Sequence, residues 1–188
     1  MAGILQPLLL DVPERHETAR LELRATRAGD GVSVLEAIEE SRVELERWMP
    51  WASATKSAED TERHAREMQG KWHAREVLDF CFFRRADGAL VGKGGLHTID
   101  WRIPRMEIGY WIRTSCAGQG FATEATLGLV GIASALGVAR IEINTDARNV
   151  ASRRVAEKSG FALEGIKRNH RRDTAGELAD SCMYARIA

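Results

Sequence analysis

One segment constrains the fold more than any other: a strand, a glycine-bearing loop and a helix start follow one another over residues 108–125. Gly118 and Gly120 allow the loop backbone to approach a ligand closely, because glycine adopts positive φ readily and has no side chain. Free N–H groups at the helix N-terminus, reinforced by the helix dipole, favour a pyrophosphate. The segment predicts a phosphate cradle formed by Ala117, Gly118, Gln119, Gly120, Phe121, Ala122 and Thr123.

Two common phosphate loops do not fit this segment. A Walker loop requires Gly-Lys followed by Ser or Thr, and a dinucleotide fingerprint requires a third glycine where Thr123 stands. An isolated Gly-x-Gly pattern is explained better by a tight turn that binds nothing. The choice between a cradle and a plain turn therefore depends on the rest of the chain.

The remaining pattern predicts an α+β fold with a mixed sheet. Alternating apolar and polar residues predict strands, and apolar residues at helical spacing predict helices. Seven strands are predicted over residues 18–24, 78–85, 89–98, 106–113, 139–145, 163–171 and 178–187. Four helices are predicted from Asp30 to about Trp48 and over residues 57–72, 121–136 and 149–160. We expect Asp30 and Asn149 to cap helices, and Asp87 with Gly88 to form a hairpin turn.

Length and charge limit the classes of protein that this chain can represent. A chain of 188 residues with 44% hydrophobic content supports one core, so we expect a single domain over residues 1–188, with residues 1–17 as an N-terminal arm. The 27 basic residues match the 27 acidic ones, which leaves no net field to hold nucleic acid or an anionic membrane. We therefore expect neither nucleic acid nor a membrane as a partner.

The spacing of the cysteines and histidines also argues against disulfide bonds and metal sites. Cys81, Cys116 and Cys182 are odd in number and contain no CxxC pair, which argues against a disulfide framework and a zinc knuckle. The five histidines show no metal-ligand spacing, so no metal is expected. No apolar run approaches the roughly 20 residues that a membrane span needs. These features predict a cytoplasmic protein.

A second motif resolves the ambiguity of the glycine loop. Residues 149–161 contain an N-x-x-S pattern followed by K-x-G-F. Together with the Gly-x-Gly loop and a strand that ends at Asn144 and Thr145, this pattern resembles the GNAT superfamily of acetyl-CoA-dependent N-acetyltransferases. Residues 45–51, 109–111 and 120–125 resemble the RimJ/RimL-type branch, whose members acetylate protein N-termini or small amines. The resemblance covers nearly the whole chain from Thr18.

The resemblance implies a mostly antiparallel, seven-stranded sheet with about four flanking helices and a splayed central strand pair. It implies that the pantetheine arm of acetyl-CoA pairs with the strand end while the cradle holds the pyrophosphate. The implied coenzyme contacts outside the cradle are Tyr110, Trp111, Ile112, Arg113, Asn149, Ser152 and Lys158. One departure is Ser115, which stands where the family usually has Gln or Arg, so we expect weaker coenzyme binding at most.

Acetyl transfer from a thioester needs a neutral amine and a proton for the departing thiolate. Ser152 matches a serine that the branch places near the coenzyme sulfur, although serine is also common in a first helical turn. Many relatives use a tyrosine at the position of Ala156, where alanine cannot serve. Glu107 is the candidate base, acting directly or through water, and a solvated strand carboxylate explains it equally well. His97 is a rival base without a motif.

The acceptor pocket is predicted from aromatic residues. Trp48 and Trp51, together with His97, are the predicted substrate contacts, and Trp101 is a further candidate. Simple packing is the plain alternative for each tryptophan. Cys116 lies in the cradle segment, but it is rejected as a nucleophile because the family transfers acetyl directly, without an acyl-enzyme.

The leading hypothesis is an N-acetyltransferase that uses direct attack in a ternary complex, with a protein N-terminal amine or a small amine as acceptor. The alternative is a catalytically silent acetyl-CoA-binding sensor or interaction module. A structural domain whose loop binds nothing is disfavoured by Gly118, Gly120, Asn149 and Ser152 together. The apolar N-terminal arm and the tryptophan-rich helix end are candidate contact surfaces of a homodimer.

Overall fold

Eight strands form one mixed sheet in this computed structural model, which describes Ile4 and residues 6–187. The strands are β1 (Arg15–Glu17), β2 (Leu21–Ala25), β3 (Leu78–Arg84), β4 (Leu90–Asp100), β5 (Arg105–Ile112), β6 (Arg140–Asp146), β7 (Ala162–Arg172) and β8 (Leu178–Ile187). The helices are α1 (Gly31–Trp48), α2 (Ala58–His73), α3 (Phe121–Ala135) and α4 (Val150–Lys158). The strand order is β1-β2-β3-β4-β5-β6-β8-β7, and the predicted α+β class is confirmed.

The predicted strand count of seven was one too few. The extra strand, β1, lies inside the predicted N-terminal arm and pairs antiparallel with β2. Residues 18–20 form the turn between them, closed by a hydrogen bond from the Thr18 N–H to the Leu21 carbonyl, so β2 begins later than predicted. A three-residue strand is too short to show alternation, which explains why the sequence pattern missed it. Residues 1–3 and 5 of the predicted arm lie outside the described residues.

The predicted side-chain cap is present at the start of α4 and absent at the start of α1. Asn149 caps α4 as expected, because its side-chain oxygen accepts the Ser152 N–H at 3.0 Å. Asp30 precedes α1 as expected, but its carboxylate makes no capping bond to the helix. Instead it accepts a 2.6 Å hydrogen bond from the Arg24 guanidinium, and both side chains are nine-tenths buried. A buried carboxylate is stabilised more by an arginine than by one backbone amide.

The centre of the sheet contains the expected splayed strand pair. All neighbouring strands are antiparallel except β5 and β6, whose parallel pairing starts at Arg105 with Arg140 and ends at Glu107 with Glu142. Beyond that point β5 continues to Ile112 and β6 to Asp146 without pairing to each other. The other edge of β5 remains paired with β4. The free edge of β5 therefore borders an opening in the middle of the sheet, called here the splay.

Residue alternation along β5 assigns the two faces of the sheet. Met106 and Ile108 belong to the main core with α3, whereas Trp111 packs in a second cluster with Val34 and Ile38 of α1. Helices α1 and α2 contact each other and cover strands β3 and β4, while α3 and α4 contact each other on the opposite side. No helix in residues 6–187 is long and apolar enough to cross a bilayer.

Candidate active site

The predicted phosphate cradle comes shortly after β5 in the chain. After the short 3-10 turn Thr114–Cys116, Gly118 and Gly120 adopt φ of +74° and +83°, and Gly120 is the residue before α3. Residues 117–120 are exposed. Within the described part of the chain, the N–H groups of residues 118–123 have no intramolecular acceptor. A row of free donors at the start of a 15-residue helix is suited to bind an anion.

Arg20 adds a cation beside the cradle, which the sequence analysis missed. Its guanidinium lies 4.4 Å from the centre of the Phe121 ring and donates to the Gln119 carbonyl at 3.0 Å. Glu124, in the first turn of α3, accepts a further bond from Arg20 at 2.7 Å. Arg20 lies 99 residues before Gln119 in the chain, so no local spacing could have indicated this contact.

Glu40 of α1 fixes the entrance to the cradle. Its carboxylate accepts the Ser115 N–H at 2.9 Å and the Arg113 guanidinium at 2.8 Å. These bonds hold the pKa of the Glu40 carboxyl below its usual range, and the bonds from Ser115 have the largest effect. The Gln119 side chain donates to the Ser115 carbonyl at 3.0 Å, which closes the loop on itself. The backbone of Ser115 is thus held on both sides by contacts within the protein.

Tyr110 and Ser152 meet beside the splay. Tyr110 lies on the part of β5 that no longer pairs with β6, and its hydroxyl donates to Ser152 Oγ at 3.2 Å. Burial raises the pKa of Tyr110 to about 12, against the opposing effect of the bond to Ser152. The phenol therefore remains protonated at neutral pH. Strand alternation could have predicted its face, since Met106 and Ile108 precede it at the same spacing.

A second feature, the central cavity, lies between helices α1 and α2 and strands β3 to β5. It has a volume of about 540 Å³, and its apolar wall includes Ile38, Trp51 and Trp111. The two tryptophan rings lie 6.3 Å apart and are tilted by 50°. Tyr110 borders this cavity and also contacts Ser152. The cavity and the splay therefore meet at Tyr110.

A buried ion pair forms part of the cavity wall. Lys93 of β4 is only 5% exposed, and its ammonium donates to the carboxylate of Asp79 on β3. Both residues line the central cavity. Neither residue is among the candidates predicted from the sequence, although a lysine within an apolar, glycine-rich strand is an unusual residue to bury.

Comparison with known proteins identifies the family. A family model described as Acetyltransferase (GNAT) domain matches residues 20–162. The chain belongs to the GNAT acetyltransferase family. It is 31% identical over 153 residues to the putative ribosomal N-acetyltransferase YdaF of Bacillus subtilis (strain 168), covering 79% of this chain and 81% of the relative. It is 29% identical over 171 residues to the ribosomal-protein-serine acetyltransferase of Escherichia coli (strain K12), covering 89% and 92%.

A solved structure shares the fold. RimL, a ribosomal L7/L12 alpha-N-protein acetyltransferase solved in complex with coenzyme A, has a TM-score of 0.85 at 24% identity, covering 94% of this chain and 97% of RimL. The expected GNAT membership and RimJ/RimL-type resemblance are confirmed. This GNAT protein is therefore an N-acetyltransferase, and the silent sensor is not favoured, because the relatives are named as enzymes.

The predicted acceptor contacts of this GNAT acetyltransferase separate into two groups. Trp51 and His97 line the central cavity, and their contact with the acceptor stays a prediction. Trp48 is not among the described residues that line it, and its ring lies 4.8 Å from the Arg47 guanidinium. Trp101 packs against the main core, so for this residue the plain packing alternative is the better interpretation.

Two further predicted residues, Glu107 and Lys158, lie outside the central cavity as the structure describes it. Glu107 is half-buried on β5 and stands directly opposite His97 of β4, but it does not line the central cavity as far as the structure describes it. Lys158, at the end of α4, borders a surface depression beside Gly120 and Thr123 of the cradle. The structure thus places Lys158 beside the predicted coenzyme site. It places Glu107 outside the cavity, across the strand pair from His97, which lines the cavity.

The cysteines of this GNAT acetyltransferase are enclosed by the protein, including Cys116, which directly precedes the cradle. Cys81, Cys116 and Cys182 are all buried and free. Burial raises the pKa of the Cys81 thiol to about 11. Among the residues that the structure describes, no three His, Cys, Asp or Glu side chains come together as a metal site.

Proposed function

We propose that this chain transfers the acetyl group of acetyl-CoA to the α-amino group at a protein N-terminus, by direct attack in a ternary complex. The observation that carries the proposal is the position of Tyr110, which joins the central cavity to Ser152 at the splay. A protein acceptor is supported by two named relatives, a ribosomal-protein-serine acetyltransferase and RimL, an alpha-N-protein acetyltransferase. We also propose a cytoplasmic location for this chain, because these relatives are named for acting on ribosomal proteins.

The chain contains the groups that acetyl-CoA requires. The cradle offers free N–H donors to a pyrophosphate, and the free edge of β5 offers backbone groups to the pantetheine over residues 110–113. Two further contacts are proposed: Lys158 at the end of α4, beside the cradle, and Asn149, which caps the start of α4 by accepting the Ser152 N–H. When bound, acetyl-CoA supplies an acetyl thioester. The Tyr110–Ser152 pair is proposed to lie at its sulfur.

Ser152 is the proposed acid. Because Tyr110 donates its hydroxyl hydrogen to Ser152 Oγ, the Ser152 hydroxyl keeps its own hydrogen for another acceptor. A thiolate leaving at the splay is such an acceptor, and proton donation to it lowers the barrier to C–S cleavage. Ser152 is half-buried in the first turn of α4, where packing restricts its motion.

Glu107 is proposed to pass the proton of the acceptor ammonium on to water. It has no hydrogen-bond or ion-pair partner within the described residues, whereas its neighbour Glu142 is neutralised by Arg140 at 2.6 Å and by Arg105 at 3.8 Å. An unpaired carboxylate retains its capacity to take a proton. Because Glu107 does not reach the cavity, the proton must pass to it through a group that does.

A release assay tests the proposed function. Coenzyme A thiol release from acetyl-CoA is measured over a panel of peptides with free N-termini and over small amines such as polyamines. We expect a peptide with a free N-terminus to give the highest kcat/KM, and its N-acetylated copy to give none. Turnover confined to small amines would overturn the protein acceptor, and coenzyme binding without any turnover would overturn the enzyme.

The cradle gives a prediction for coenzyme binding. Gly120→Ala places a side chain at φ +83°, a left-handed conformation that alanine adopts only with strain, while the added Cβ makes an ordinary contact with Arg20 at 3.4 Å. Relief of that strain would shift the loop, so its N–H groups would lose their alignment. We expect the Kd for coenzyme A, measured by titration calorimetry, to rise about 10-fold, in keeping with the cost of a left-handed alanine. Gly137→Ala is the matched control: it has φ +77° at the far end of α3 and meets no neighbour. Equal Kd changes in both variants would contradict the cradle.

A further inference from the structure

A strained residue stands beside the central cavity. Thr98 of β4 has φ +51°, which a β-branched residue rarely adopts. It lies where the β4–β5 pairing shifts register, between His97 and Asp100. Backbone strain of this kind persists where the surrounding structure holds it, and such positions concentrate at functional sites. The conformation of Thr98 therefore raises the question of what it positions.

The contact that Thr98 makes is with the imidazole of His97. Thr98 Oγ1 lies 2.9 Å from His97 Nδ1. On the other side of the ring, Nε2 lies over the backbone of Gly109, where an added Cβ would approach it to 2.8 Å. His97 is half-buried, and both His97 and Gly109 line the central cavity. The imidazole is thus held between the Thr98 hydroxyl and a glycine that leaves room for it.

We propose that His97 Nε2 accepts the proton of the acceptor ammonium, and that Thr98 is the positioning residue that directs it. In this arrangement Nδ1–H donates to Thr98 Oγ1, so the lone pair of the neutral ring lies on Nε2. The inference rests on the proposed function and names the group through which the proton passes toward Glu107. Thr98 acts only through His97 and touches no substrate.

The charges around His97 favour this assignment. Besides His97, the charged and titratable groups that line the cavity are Asp60, Arg63, His64 and Glu67 on α2, Asp79 on β3, Lys93 on β4 and Tyr110 on β5. Lys93 and Asp79 neutralise each other. Glu107 stands directly opposite His97, which places the two Cβ atoms about 5 Å apart. Its unpaired carboxylate is therefore placed to stabilise the imidazolium.

The proton and electron balance is simple. An N–H bond of the ammonium breaks, its electron pair stays on nitrogen, and the proton bonds to His97 Nε2. The neutral amine forms the new C–N bond as the C–S bond breaks, and the thiolate takes the proton of Ser152. The second proton lost by the nitrogen restores the Ser152 hydroxyl, and His97 returns its proton through Glu107 to water.

The first test measures the His97 tautomer in the free protein, without coenzyme. Imidazole ¹⁵N chemical shifts distinguish protonated from unprotonated ring nitrogens, and His97→Gln assigns the signals among the five histidines. We expect the Nδ1–H tautomer in the native protein and a mixture of tautomers in Thr98→Val. A native Nε2–H tautomer would overturn the proposal. This result stands whether or not an acceptor is found, so it separates failure of the inference from failure of the proposed function.

The second test is the pH profile of kcat/KM with the best peptide from the release assay. His97→Gln should lower kcat/KM at pH 7 about 100-fold and remove the ionisation on its acid side. Thr98→Val and Thr98→Gly should each lower kcat/KM about 5-fold, as expected for a lost orienting hydrogen bond of about 1 kcal/mol. Thr98→Gly also relieves the strained φ, so it should not lower the melting temperature.

His73→Gln is the matched control, because His73 is exposed in the last turn of α2 and does not line the described cavity. It should leave the pH profile within about threefold of the native one, well below the effect of a lost proton acceptor. A native pH profile in His97→Gln would overturn the role of His97, and a native kcat/KM in Thr98→Gly would overturn the role of Thr98.

Discussion

Ser152→Ala is expected to lower kcat about 1,000-fold, within the range found for the loss of a positioned acid. The change removes the hydroxyl that we propose to protonate the departing thiolate. It keeps the backbone N–H that binds Asn149, so the cap of α4 is preserved. Single-turnover measurements with saturating peptide separate the chemical step from product release, and the Kd for coenzyme A should change less than threefold, since no phosphate contact is lost.

Two companion variants sharpen this result. Tyr110→Phe removes the donor to Ser152 Oγ and should lower kcat about 10-fold, because Ser152 remains but is no longer oriented. Added to Ser152→Ala, Tyr110→Phe should have little further effect, since residues that act as a unit are not additive. Ser134→Ala, an exposed serine of α3, controls for serine removal from a helix. A kcat within threefold of native in Ser152→Ala would show that the thiolate leaves without this acid.

The sequence predicted the parts of the site that depend on local geometry. Gly118, Gly120 and Asn149 act through the backbone of a loop or a helix start, so a short segment contains all the information that places them. The same applies to the class of fold, because alternation and helical spacing are local patterns. The count of strands failed only at β1, which is three residues long.

The remaining parts depend on contacts between distant segments. Ser152 could be singled out from its motif, but its partner Tyr110 lies 42 residues earlier, and only the packing of α4 on the sheet joins them. Glu107 shows a different limit: alternation fixes its face, while the end of the cavity depends on how α2 lies over the strands. Trp48 and Trp51 are three residues apart, yet only Trp51 reaches the cavity.

The buried pair of Lys93 and Asp79 leads to the largest expected effect on stability. Asp79→Ala leaves the Lys93 ammonium uncompensated in a site where the lysine is 5% exposed. Removing one partner of a buried pair costs about 3–5 kcal/mol, because the other charge loses its solvation without compensation. We expect the free energy of unfolding, measured by urea denaturation, to fall by that amount.

Replacing both partners tests the cause of that loss. The double variant Asp79→Asn with Lys93→Met removes both charges at similar volume, so it should recover most of the lost stability. Glu22→Ala is the control: it breaks a cross-strand ion pair in which Arg15 is 62% exposed, and it should cost less than about 1 kcal/mol. A double variant no more stable than Asp79→Ala would show that packing, and not the unpaired charge, determines the loss. If the double variant folds normally but its KM for the peptide rises, the pair also serves the cavity that it lines, because charge is then needed for acceptor binding and not for the fold.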